Sequence, residues 1–111
     1  MKSARFYGQK DIRVEELPDP TPEQGEVVVR VKATGICGSD LHGYRAKVKR
    51  EHPLITGGHE MAGEVTAIGT EVTACRVGDR VAIEPLMPCR KCAHCLQGQY
   101  QRCRQLKHIG G

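Results

Sequence analysis

Glu26-Val27-Val28-Val29-Arg30-Val31-Lys32-Ala33 runs without a break into Thr34-Gly35-Ile36-Cys37-Gly38-Ser39-Asp40-Leu41-His42. The first half is β-branched, with alternation over its second part, and predicts a partly buried strand. In the second half glycines flank a cysteine, so the backbone is free to turn where the strand ends. A related arrangement follows twice. Gly57-Gly58-His59-Glu60 precedes the strand-like Met61 to Gly69, and Val77-Gly78-Asp79-Arg80 precedes Val81-Ala82-Ile83-Glu84-Pro85. Upstream, Ser3 to Tyr7 and Ile12 to Leu17 flank Gly8-Gln9-Lys10-Asp11, a hairpin signal, before Pro18, Pro20 and Pro22 end the second strand. Short strands with glycine-punctuated turns predict a mainly β chain folded as a small, partly open β-barrel. Only Cys92 to Gln101 reads as able to hold a helical turn or two.

The chain has 111 residues, room for one domain with a modest core. With 39% hydrophobic and 27% charged residues it is neither disordered nor collagen-like. No apolar run suits a membrane helix, and Met1 to Tyr7 lacks the apolar core of a secretory signal, so a cytoplasmic protein without membrane contact is expected. The formal charge is +4, and no acidic residue follows Glu84, whereas Arg90, Lys91, Arg102, Arg104 and Lys107 do. Four thiolates around one Zn²⁺ in that stretch would lower the total to about +2. Arg45, Lys47, Lys49 and Arg50 read as a solvated loop, and no nucleic-acid partner is expected.

Six cysteines are present, at 37, 75, 89, 92, 95 and 103. Without a secretory signal, and with four of them crowded together, metal ligation in a reducing compartment is favoured over disulfides. Cys89-x₂-Cys92-x₂-Cys95-x₇-Cys103 can surround one Zn²⁺ tetrahedrally. Leu96 and Tyr100 are the only sizeable apolar residues of this loop, so a metal would supply the cross-link that a core cannot. Ferredoxin runs begin similarly but continue with x₃-Cys-Pro, which this one does not. His94 could substitute as a ligand, although four cysteines already close the shell. Such a closed site does no acid–base chemistry.

Cys37, His59 and Glu60 offer a thiolate, an imidazole and a carboxylate on two glycine-flanked turns. That mixture suits zinc with an open coordination position. A buried apolar cysteine and a hydrogen-bonded structural histidine are the competing readings.

Gly35 to His42, Gly58-His59-Glu60-Met61-Ala62-Gly63-Glu64-Val65, Val77 to Val81 and the four-cysteine loop stand in an order and at intervals similar to those of the zinc-dependent medium-chain alcohol dehydrogenases. The resemblance covers essentially the whole chain. It is nearest to the polyol branch, the sorbitol and butanediol dehydrogenases, through Asp11-Ile12-Arg13-Val14-Glu15-Glu16 and Val81 to Pro85. It implies that residues 1–111 are the N-terminal part of a GroES-like catalytic domain, with a structural zinc lobe at about 88–104. The Rossmann cofactor domain is absent from this chain, in which no G-x-G-x-x-G turn occurs. By the same resemblance Cys37 and His59 are catalytic-zinc ligands, and Glu60 is a ligand or a close carboxylate. The family's remaining ligand lies past residue 111. Ser39 matches the hydroxyl that receives the substrate proton, His42 the relay histidine, and Asp40 a carboxylate that orients His59. Capping of the turn or helix after Cys37 is the alternative for Ser39 and Asp40, and an exposed loop position is the alternative for His42. His52 and His108 match no motif position and are read as structural, and Cys75 as an inert, half-buried thiol. The implied function is hydride transfer between an alcohol or polyol and NAD or NADP, in a protein that is a homo-oligomer at full length, with the 111 residues inactive alone. A stand-alone, non-catalytic zinc-binding module is the alternative, and a thiol redox or metal-transfer protein a third.

Overall fold

The computed structural model describes residues 1–8, 10–47 and 58–110. Gln9, Lys49, Arg50, His52 and Gly57, named above, lie outside them. Strands β1 (Lys2–Gly8) and β2 (Asp11–Glu16) lead to β3 (Val27–Thr34), helix α1 (Gly38–Arg45), β4 (Met61–Ile68) and β5 (Arg80–Ala82). Then come β6 (Leu86–Met87), α2 (Ala93–Leu96), a 3₁₀ turn at Tyr100–Arg102 and β7 (Lys107–His108). All pairing is antiparallel, in three sheets ordered β1-β2, β3-β4-β5 and β6-β7, which do not close on one another among the described residues. The mainly β, partly open architecture expected from the glycine-punctuated strands is what the chain adopts.

The β1–β2 hairpin carries its own polar scaffold. Tyr7 Oη donates to Glu15 Oε1 at 2.5 Å, Arg5 Nη1 donates to Glu15 Oε2 at 3.1 Å, and the Arg13 guanidinium lies 4.1 Å from the Tyr7 ring centre. Opposite charge, hydrogen bonding and cation–π contact thus stand in for apolar cross-strand pairs. The Tyr7 hydroxyl and then Arg5 hold the Glu15 carboxyl below the usual carboxylate range.

The β3–β4 ladder forms the middle of the molecule. Val27 pairs with Ile68 at one end and Thr34 with Met61 at the other, with irregularities between Val28 and Val29 and between Val31 and Ala33. The first leaves Thr66 extra on β4, the second Lys32 extra on β3, so the register at the two ends agrees. Gly63 permits the close approach between the two strands, because a Cβ there would run into the Arg30 carbonyl and lie 2.8 Å from Val29 Cγ1. Val65 is wholly buried, and its N–H and C=O pair with Asp79 and Gly78, which hangs the 76–79 turn on the centre of β4.

Apolar burial elsewhere is sparse. Cys103 is the other buried apolar residue described, whereas Val14, Ile36 and Leu96 are 72%, 77% and 76% exposed. In the valine run of β3, Val28 and Val29 are half-buried but Val27 and Val31 are exposed. The radius of gyration of 15.7 Å exceeds the roughly 13 Å of a compact chain of this length.

One expectation is overturned. Residues 38–45 form a helix, and Arg45 lies in its last turn, not in a loop. Gly38 and Gly43 are poor helix formers and the segment has no apolar stripe, so periodicity gave no sign of it. Its ends explain it. The Cys37 N–H donates to Asp40 Oδ2 at 2.8 Å, an acidic residue in the first turn meets the N-terminal partial charge, and Tyr44 C=O accepts from the Lys10 N–H at 2.9 Å.

Two glycines should therefore respond oppositely to alanine. Gly63→Ala should destabilise the chain by about 1–3 kcal/mol through overpacking against Arg30. Gly43→Ala, with nothing within 4 Å of the added Cβ, should stabilise by about 0.5–1 kcal/mol; chemical denaturation of both variants measures this. In Glu15, a depressed carboxyl contributes stability above the ordinary carboxylate pKa that is lost as pH falls through the lower folded value. Glu15→Gln should accordingly flatten the acid limb of a stability–pH curve, and an unchanged limb would show that the Tyr7 and Arg5 contacts add nothing.

Candidate functional site

The end of the β3–β4 ladder assembles the first cluster. Past Thr34 and Met61 the pairing continues, with the Gly35 N–H donating to Glu60 C=O at 2.8 Å and Thr34 Oγ1 donating to the same carbonyl at 3.1 Å. Cys37, two residues on from Gly35, and His59, one before Glu60, are thereby neighbours despite their separation in sequence. A side chain at Gly35 would meet the Glu60 carboxylate, so its absence leaves that carboxylate room to lie over the strand end. Ligand atoms of Cys37, His59 and Glu60 all fall within 4.8 Å of one another.

The electrostatics of the three are tuned together. Hydrogen bonds from the Ser39 hydroxyl and Ser39 N–H, then from His59, lower the Cys37 thiol from its ordinary value. The Cys37 contact, and next the nearby Asp40 charge, raise His59. The two shifts run in opposite directions because each group favours the charged form of the other. Asp40 Oδ1 lies 3.7 Å from His59 Nδ1, with both side chains largely buried. Asp40 therefore does two things that the sequence offered as alternatives: it caps α1 and it faces His59. Ser39 and His42 are exposed and sit three residues apart on α1, on one face of the helix.

The second cluster gathers Cys89, Cys92, Cys95 and Cys103, again with all ligand atoms within 4.8 Å. Four sulfurs about 2.3 Å from one Zn²⁺ have tetrahedral edges of about 3.8 Å. The Cys92–Cys95 and Cys89–Cys95 sulfurs are 3.5 and 4.0 Å apart, on either side of that value. Backbone N–H groups of Cys89 and Gln105 donate to Cys103 Sγ at 3.2 and 3.3 Å, as thiolate sulfur requires. Cys92 is pulled down to about 6, first by the Arg104 and Cys95 N–H groups, whereas burial and then neighbouring sulfurs push Cys95 up to about 12. The donor set, four sulfurs within 4.8 Å of one another, fits a single zinc ion. His94 is not in this cluster. Cys75 is half-buried, outside both clusters.

Sequence reasoning missed one neighbour of the site. His108 on β7 packs edge-on against His59, with ring centroids 5.6 Å apart and planes at 73°. No motif marks it, and only the return of the chain after the cysteine loop brings it there.

No helix of the described residues is long and apolar enough to cross a membrane. Residues 23–111 match the alcohol dehydrogenase GroES-like domain. Sorbitol dehydrogenase of Bacillus subtilis is 42% identical over 98% of this chain and 32% of its own length. (R,R)-butanediol dehydrogenase of the same organism is 42% identical over 99% of this chain and 34% of its own. The structure of an alcohol dehydrogenase of Escherichia coli CFT073 complexed with NADH superposes with a TM-score of 0.87 at 40% identity, covering 99% of this chain and 32% of that one. The chain thus spans about a third of the length of these relatives. It belongs, as a GroES-like domain closely related to those of sorbitol and butanediol dehydrogenases, to the zinc-type medium-chain dehydrogenase family.

Proposed function

We propose that the chain is the N-terminal catalytic portion of a zinc-dependent oxidoreductase that transfers a hydride between an alcohol or polyol and NAD or NADP. The observation that carries this reading is the convergence of Cys37, His59 and Glu60 at one strand end, in a chain that also gathers four cysteines into a separate cluster. Cys37 and His59, with Glu60 as ligand or close carboxylate, would hold a catalytic zinc; Cys89, Cys92, Cys95 and Cys103, in a lobe at about 88–104, would hold a structural one. When bound, the catalytic ion supplies a Lewis acid that polarises the substrate oxygen. The other contributions come from side chains. Asp40 holds His59 in orientation. Ser39, on the first turn of α1 beside Cys37, takes the substrate hydroxyl proton, and His42, one helical turn on and exposed, hands it to solvent. The nicotinamide-binding part belongs to the length of the relatives that this chain does not span, so these 111 residues alone should not turn over substrate.

Metal content comes first. The reduced chain should hold one zinc tightly in the four-thiolate loop and a second more weakly, with Cys92→Ser plus Cys95→Ser abolishing the tight site; iron, or unchanged zinc in the double variant, would refute the assignment. Because Cys92 is already ionised near neutrality and Cys95 is held protonated up to about 12, loading must expel at least one proton. Affinity for the tight zinc should therefore rise about tenfold or more per pH unit between pH 7 and 9, as chelator competition can read. The catalytic roles are tested on the longest polypeptide that the gene encodes, by alcohol-dependent NAD or NADP reduction. Cys37→Ala or His59→Ala should cost more than about 100-fold at every pH together with one zinc, beyond what outer-sphere changes cost. His42→Ala should cost roughly tenfold at acid pH, less near pH 9, with zinc retained. Normal turnover and zinc content in Cys37→Ala would end the catalytic reading.

A further inference from the structure

The four-cysteine loop is slung between β6 and β7, a ribbon only two residue pairs long: Leu86 with His108 and Met87 with Lys107. The Ile109 N–H extends it by donating to Pro85 C=O at 3.0 Å. So short a ribbon is marginal by itself. Its loop adds little apolar burial, since Leu96 is 76% and Tyr100 44% exposed. The four sulfurs are what gathers residues 89–103, and Cys103, the buried one, lies five residues before His108.

The base of the ribbon rests on the other cluster in two places. The His108 ring lies edge-on to His59. Two residues later Gly110, at φ +73°, passes so near that a Cβ would strike the Gly58 carbonyl and come within 3.4 Å of the His59 backbone nitrogen. Together with Asp40 at Nδ1, His108 therefore restrains the imidazole that the Cys37 cluster offers to a metal. A ring already fixed in place loses less freedom when it ligates.

We propose that His108 is a positioning residue for His59, and that metal loading of the Cys89–Cys103 loop, by ordering the β6–β7 ribbon, raises metal affinity at Cys37, His59 and Glu60 through it. This rests on reading both clusters as metal sites. The coupling is reciprocal: a metal at the first cluster must tighten binding at the second by the same factor.

Co²⁺ added to the reduced 111-residue chain reads both sites, since a four-thiolate site gives stronger sulfur-to-cobalt charge transfer than a one-thiolate site. Cobalt should fill the four-thiolate loop first. Cys92→Ser plus Cys95→Ser should then weaken cobalt binding at the Cys37 site by roughly 5- to 10-fold. His108→Ala should weaken it to a similar extent while leaving the four-thiolate spectrum in place, and His108→Phe, which keeps a ring for edge-on packing, should restore it. The triple variant should be no weaker than either parent. Equal affinity in wild type and His108→Ala, failure of His108→Phe to restore binding, or losses that multiply in the triple variant would each overturn the proposal. Because His108→Ala leaves every ligand in place, the outcome does not depend on the cysteine variant remaining folded. Wild-type chain that takes cobalt into the loop and none at Cys37 would overturn the metal-centre reading as well, which separates the two failures.

Discussion

The antiparallel pairing of Thr34 with Met61 is the constraint on which the rest depends. It closes the β3–β4 ladder at the point where two turns leave it, one carrying Cys37 and the other arriving with His59 and Glu60. The turn that carries Cys37 has no apolar packing at Gly35 and Ile36 to locate it, since both are exposed. The backbone bonds of Gly35 and Thr34 to the Glu60 carbonyl do so instead. Helix α1 then starts from Cys37, and the same Asp40 that caps it faces His59. Cluster geometry, helix start and histidine orientation thus follow from one register.

Among the described residues little apolar area is buried. Val65 anchors the middle, and around it the work is divided among backbone close approach at Gly63, a polar network on the hairpin and the gathering of sulfurs in the 89–103 loop. Apolar burial scales with area removed from water, and side chains such as Val14, Ile36 and Leu96 remain in it. A cation bound at the proposed sites would then act in folding as much as in chemistry, because ligands gathered by a metal are gathered against chain entropy.

Much of this was legible before any coordinates. β-Branched runs and glycine punctuation gave β1 to β5, and the spacing of Cys89, Cys92, Cys95 and Cys103 gave the sulfur cluster, because both signals are local. Helix α1 was legible only as a turn or helix that Ser39 or Asp40 could cap, and its extent to Arg45 was not: Gly38 and Gly43 argue against a helix, and what stabilises it is a capping bond to Asp40 and an end contact to the hairpin. His108 was invisible for a different reason. Its position depends on where the chain lands after a fifteen-residue excursion, from Cys89 to Cys103, whose shape is set by sulfur geometry and not by periodicity. The exposure of Val27 and Val31 was equally hidden, since a valine run reports preference for a strand and not which neighbour covers it.

The two irregularities of the β3–β4 ladder mark where such a domain can change in length. Thr66 on one strand and Lys32 on the other are each supernumerary, so loss of either would remove a bulge and leave its flanking pairs, Val28 with Ala67 and Val29 with Val65, or Val31 with Gly63 and Ala33 with Ala62, still facing one another. Loss of a residue that has a cross-strand partner would instead shift the pairs beyond it by one and turn their side chains to the opposite face, parting Cys37 from His59. Single-residue change inside these strands is therefore channelled to positions 32 and 66, and larger variation to the connecting segments.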